Sequence, residues 1–266
     1  MIRFIKVLWF FTSRVPRPTS LIMIMIMIMM TSACGKKGPV RPKLGIPLPT
    51  VQGVTLQQQG NLFVLGWEVP EYKESKEVQG LTGFRIKRLS YDPAEGCPTC
   101  REPQAEVAEL DIDSPTPAQH IGKRMYWRDL DIRPGSGYRY AIVSVALGNL
   151  EGPAAMIHLV AQTPPPAPTE LLATAGDARV ALQWTAPAQP AELQLVGYNL
   201  YRRQSQRPFP IVPVNRKPLQ DTHLLDRGLD NGRTYEYRIS ALVRSGDQLL
   251  ESMASPGVQV TPQEGL

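Results

Sequence analysis

The strongest constraint on this chain is one strand pattern that occurs twice. Gly137–Val145 reads GYRYAIVSV and Thr234–Leu242 reads TYEYRISAL. Both place Tyr, Tyr and Ile at steps of two: Tyr138, Tyr140 and Ile142, then Tyr235, Tyr237 and Ile239. Period two over that length dictates a strand with one buried face. Other short alternating runs surround each copy. Val51–Leu56, Asn61–Trp67, Gly83–Leu89, Ala105–Leu110 and Met156–Val160 flank the first. Glu170–Ala173, Ala178–Trp184, Gly197–Arg203, Ile211–Val214 and Pro256–Thr261 flank the second. Trp67 and Trp184 each end the second run of their half, and a proline follows within a few residues. The segment Thr163–Pro168 holds four prolines in six residues and separates the halves. No central strand tolerates that density of missing N–H groups.

About seven short strands per half, with turn signals between them, is the pattern of an antiparallel sandwich. Each Tyr follows a leucine and a turn: Leu130 with Pro134-Gly135 before Tyr138, and Leu229 with Asn231-Gly232 before Tyr235. On these residues both halves resemble the fibronectin type III fold. The resemblance implies an all-β chain of two tandem fibronectin type III-like, immunoglobulin-like β-sandwiches. It also implies that Trp67 and Trp184 fill the space between the sheets. Tyr138 and Tyr235 then form tyrosine corners, each hydroxyl bonding back to the backbone. The expected modules are 51–163 and 164–266. Trp67 lies 71 positions before Tyr138, whereas Trp184 lies 51 before Tyr235. The extra length falls mainly between Leu89 and Met125 and contains Cys97 and Cys100.

The amino-terminal part follows different rules. Leu21–Met30 is a ten-residue run of Leu, Ile and Met without charge. A bilayer-spanning helix needs about 20 apolar residues, whereas the core of a signal peptide needs about 7–15. Arg3, Lys6, Arg14 and Arg17 precede the run, and Thr31, Ser32 and Ala33 lead from it to Cys34. Thr31-Ser32-Ala33-Cys34 resembles a bacterial lipoprotein lipobox. Cys34-Gly35-Lys36-Lys37-Gly38-Pro39 resembles the mature start of small outer-membrane lipoproteins that read Cys-Gly-x-Lys-Gly-Pro. That resemblance implies a signal peptide over 1–33 and lipid attachment at Cys34. It places the protein in a bacterial cell envelope, on the outer membrane and facing the periplasm. The alternative is an uncleaved apolar anchor with a free cysteine. Residues 34–50, rich in Pro and Gly, read as an extended tether.

Charge narrows the function classes. Four of the 29 basic residues precede Cys34 and none of the 24 acidic ones does, so the remainder is almost neutral. No basic cluster is interleaved with aromatics, which argues against a nucleic-acid surface. Gly135-Ser136-Gly137 is a turn before a strand, with no helix following to make a phosphate loop. His120, His158 and His223 are far apart in sequence, and no nucleophile motif accompanies them. No catalytic set, no metal site and no cofactor follow from these residues. Cys97-Pro98-Thr99-Cys100 permits three readings: a disulfide stapling the inserted loop, a redox-active dithiol, or a partial zinc site.

The expected function is non-enzymatic: a membrane-anchored scaffold or binding module for envelope protein partners. The candidate surfaces are the Cys97–Cys100 insertion and the loops Leu147–Ala154 and Arg244–Glu251, where Leu249 and Leu250 are expected to be exposed. Two other readings compete with it. One is a carbohydrate- or cell-wall-binding accessory module. The other is an envelope thiol or metal protein using Cys97 and Cys100.

Overall fold

The structure, a computed structural model, describes residues 48–70, 80–95, 97, 99–188, 190 and 192–265. Cys34, the apolar run before it and the tether as far as residue 47 lie outside the described residues. Every regular element described is a strand. The first half holds β1 (Gln52–Gln59), β2 (Leu62–Glu68), β3 (Leu81–Tyr91), β4 (Ala105–Asp111), β5 (Gln119–Ile121), β6 (Arg124–Asp129), β7 (Gly137–Ala146), β8 (Leu150–Glu151) and β9 (Ala155–Val160). The second holds β10 (Thr169–Gly176), β11 (Arg179–Thr185), β12 (Gln194–Gln204), β13 (His223–Arg227), β14 (Tyr235–Ser245), β15 (Gln248–Glu251) and β16 (Val258–Val260).

In the first half β1-β2-β6-β5 faces β4-β3-β7, with β8 and β9 both pairing with β7. In the second, β10-β11-β13 faces β12-β14, with β15 and β16 both on β14. Alternation explains the burial. β11 reads exposed, buried, exposed throughout, and its buried members Val180, Leu182 and Trp184 sit in one core with Tyr198, Leu200 and Tyr237. The first core joins Phe63, Leu65 and Trp67 to Phe84, Ile86 and Tyr140. The two cores share no residue.

Each Trp meets an aromatic of the facing sheet edge-on: Trp67 meets Phe84 with centroids 5.4 Å apart, and Trp184 meets Tyr198 at 5.4 Å. Each corner Tyr also bonds back five residues. Arg133 N donates to Tyr138 Oη at 2.8 Å, and Asp230 N donates to Tyr235 Oη at 3.1 Å. Both halves are fibronectin type III-like sandwiches. Tyr235→Phe is expected to cost about 1 kcal/mol, because Asp230 N loses its acceptor while the ring stays in place. Urea unfolding of the two proteins side by side measures this directly.

Three sequence expectations change here. Leu130 is not the corner's apolar residue. Ile132, six before Tyr138 as Leu229 is six before Tyr235, is the buried one, and Leu130 is 73% exposed. Ile211–Val214 forms no strand. Pro210 and Pro213 lack the N–H groups a ladder needs, and Val214 N makes a single bond to Leu200 O at 2.7 Å. The end of the tether is also packed: Leu48 is buried, and Ser144 Oγ donates to Pro49 O at 2.8 Å.

Candidate functional site

The halves meet along a seam that local sequence patterns do not reveal. The end of β1 pairs in parallel with β15, Gln58 opposite Leu250 and Gln59 opposite Glu251. This single ladder joins the β1 sheet of the first half to the β14 sheet of the second, giving one eight-stranded sheet. Gly60 N extends it with a bond to Glu251 O at 2.8 Å. Gly60 holds a left-handed φ of +56° at the turn into β2, and a Cβ there would run into Met253. Leu250 is therefore 1% exposed, contrary to the expected surface position, because the seam covers it.

Side-chain amides complete the seam. The Gln58 amide is buried; it donates to Gln162 O at 2.6 Å and accepts from Gln162 N at 2.9 Å, tying β1 to the start of the linker. Gln119, on β5, treats the loop after β12 as a further strand. It donates to Phe209 O at 3.3 Å and accepts from Ile211 N at 2.9 Å. Arg128 Nη2 donates to Pro210 O at 3.0 Å. Two guanidiniums pack on Phe209, with Arg203 and Arg238 each 4.5 Å from its centroid.

Glu251 sits beneath this seam, 5% exposed. It accepts from Tyr201 Oη at 2.8 Å and Asn199 Nδ2 at 3.0 Å, and also from Ser240 Oγ. Gln59 Nε2 donates to the same Tyr201 hydroxyl at 3.0 Å, so the acid and the first half share a partner. Burial pushes the Glu251 carboxyl above the usual glutamate range, and its hydrogen bonds only partly oppose this. The folded state then keeps a proton that the unfolded chain has released. Stability from this group is full below the ordinary glutamate pKa, about 4.3, and is lost as pH rises through the lifted value. Glu251→Gln is expected to flatten that decline. Urea midpoints from about pH 4.5 to pH 8 for both proteins test it, and identical slopes would contradict the assignment.

Above Glu251 the halves leave a cleft of about 370 Å³. Arg128 comes from β6, Arg238 from β14, and Phe209 from the loop after β12. Leu130 and Met253 stand at the cleft 73% and 49% exposed. Burial lowers the Arg128 pKa, and among the described residues it has no carboxylate partner. Arg238 reaches Glu236 at 3.3 Å through Nη2, while its Nε is buried without a partner among the described residues. The arrangement offers guanidinium donors beside apolar surface, and the single acid in the lining is the covered Glu251.

The residues singled out from sequence lie elsewhere. Trp67 and Tyr138 are buried in the first core, and Trp184 and Tyr235 in the second; none of them lines this cleft. Cys97 and Cys100 are bonded to each other in the loop after β3. That loop covers Arg139 of β7, which donates to Thr99 O at 3.2 Å and Arg101 O at 2.6 Å. His120, His158 and His223 fall on three different strands, β5, β9 and β13. No group of three or more metal-capable side chains occurs among the described residues.

A second set was also missed, and it is duplicated. In the first half Arg88 of β3 and Tyr140 of β7 converge on buried Asp129 of β6, at 2.8 and 2.7 Å. In the second half Arg202 of β12 and Tyr237 of β14 converge on Asp226 of β13, both at 2.7 Å. Each set joins the two sheets of its sandwich. Burial and the bond to the acid push both tyrosine hydroxyls up, out of the range of ordinary titration. The available signal was spacing: in both halves the Asp stands eleven positions before the second Tyr of the repeated strand.

No family model matches the chain. Among solved structures, the FN1–FN3 domains of chicken CNTN1 share 12% identity with it, covering 83% of this chain and 69% of that one, at a TM-score of 0.34. A myokine structure shares 17% identity over 37% of this chain and 99% of its own length, at a TM-score of 0.30.

Proposed function

We propose that this chain is a lipid-anchored lipoprotein of a bacterial envelope, held to the outer membrane through Cys34 and facing the periplasm. Its twin sandwiches act there as a non-enzymatic binding scaffold for protein partners. The observation that carries the binding reading is the seam. Two modules that share one sheet present their surfaces in a fixed relation, and they leave a cleft with guanidinium donors and uncovered apolar side chains. The anchor rests on Thr31–Cys34 and the residues that follow, and several acyl chains on one cysteine supply more than the single weak signal one chain gives.

Two measurements test this. Metabolic palmitate labelling is expected to mark the wild-type chain and send it to the membrane fraction, and Cys34→Ser is expected to lose both. An unlabelled wild-type chain in the soluble fraction would overturn the anchor. For binding, a photo-crosslinking amino acid is placed in living cells at exposed Leu130, Leu147 or Leu172. A discrete protein adduct from at least one position is expected, and none from any of the three would overturn the scaffold role.

A further inference from the structure

We infer that the cleft between the modules binds the carboxylate end of an extended peptide whose last side chain is apolar. This deepens the binding-module reading and rests on it, but it needs nothing from the lipid anchor. Charge comes first. Arg238 shares Glu236 with Arg203, whereas Arg128 has no carboxylate partner among the described residues, and the one acid in the lining is the covered Glu251. A guanidinium fork matches a carboxylate in shape and charge, and Arg is the side chain best suited to that contact in a partly desolvated site. Arg238 is held against Phe209 and paired with Glu236, so its plane is fixed before any ligand arrives.

Apolar contacts come second. Leu130 belongs to neither core and stands out of the corner that Ile132 fills. Met253 is also outside both cores. Exposed apolar side chains that converge on one cleft mark a contact surface more strongly than scattered ones do. A cleft of about 370 Å³ also falls within the span of ligand sites, about 300–1,000 Å³. Amide groups come third. Asn61 and Gln59 line the same cleft. The Asn61 amide and the Gln59 side-chain carbonyl offer groups that a peptide uses and that an alkyl chain does not, the Gln59 Nε2 being taken by Tyr201.

The test uses the full-length protein and three probes. These are a fluorescein-labelled peptide ending Ser-Phe-Leu with a free carboxylate, the same peptide amidated, and dodecanoate. The free-acid peptide is expected to give saturable anisotropy, and amidation to weaken binding about tenfold or more. Arg128→Gln is expected to weaken it about tenfold. Leu130→Ser is expected to weaken it about threefold while keeping the wild-type unfolding midpoint, because this side chain is outside both cores. Equal affinity for acid and amide, or affinity unchanged in both variants, would overturn the proposal. So would dodecanoate binding where the peptide does not, which would assign the cleft to lipid carboxylates. Crosslinking at Leu147 and Leu172 reports on the scaffold role independently, so the two readings fail separately.

Discussion

Trp67→Ala is expected to destabilise the first module by about 3–5 kcal/mol, and Trp184→Ala to do the same to the second. Both rings are almost wholly buried between the sheets, and each packs edge-on against an aromatic of the opposite strand. Among the described residues neither indole N–H has a partner, so each ring acts as apolar filler without a polar bond to recover. Truncation removes a large buried surface and leaves a cavity that the stiff sheets cannot collapse. Domains are typically stable by only about 5–15 kcal/mol, so either loss removes a large share. Guanidinium unfolding followed by circular dichroism measures it. A loss of under about 1 kcal/mol would mean the ring does not hold the sheets together.

The second large effect is expected at the duplicated acid. Asp129→Ala or Asp226→Ala should each cost about 3–5 kcal/mol. The carboxylates are what let Arg88 point into a sandwich: burial works against its charge, and the bonds to Asp129 and Asp131 outweigh that, raising its pKa. Removing the acid leaves a guanidinium and the Tyr140 hydroxyl between two sheets with fewer acceptors. The matching double change, Asp129→Ala with Arg88→Met, is expected to recover part of the loss, because a partly buried charge without its partner is worse than none. Equal destabilisation in the single and double variants would show that the pair, rather than the stranded charge, carries the energy.

How much of this was legible differs from element to element. Strands such as β7 and β14 were readable because alternation, Tyr placement and turn residues all agree within ten positions. The disposition of Leu130 and Ile132 was not, since both are apolar and only the distance to the corner Tyr separates them. The loop at 211–214 misled because Ile, Val and Val favour strands, while Pro210 before them and Pro213 among them forbid the ladder. The seam had the weakest local trace of all. It joins segments nearly 200 positions apart through two residue pairs, and no periodicity encodes that. A comparison of the two repeats gives the clue. Where β1 ends Gln57-Gln58-Gln59, β10 ends Thr174-Ala175-Gly176, and where β6 carries Arg128, β13 carries Leu225. Repeats that keep their cores and differ at such positions have different neighbours to meet.

The same substitutions give the equivalent strand edges of the two modules different chemistry. β8 stands on β7 where β15 stands on β14, yet among the described residues Leu150–Glu151 pairs with β7 alone. Ala175 and Gly176, which stand where Gln58 and Gln59 stand in the first repeat, carry no side-chain amide, and Glu151 is held by Arg85 and Lys87 where Glu251 accepts from hydroxyls and an amide. The equivalent strand edge therefore carries a joint in the second module and an ion-pair cluster in the first.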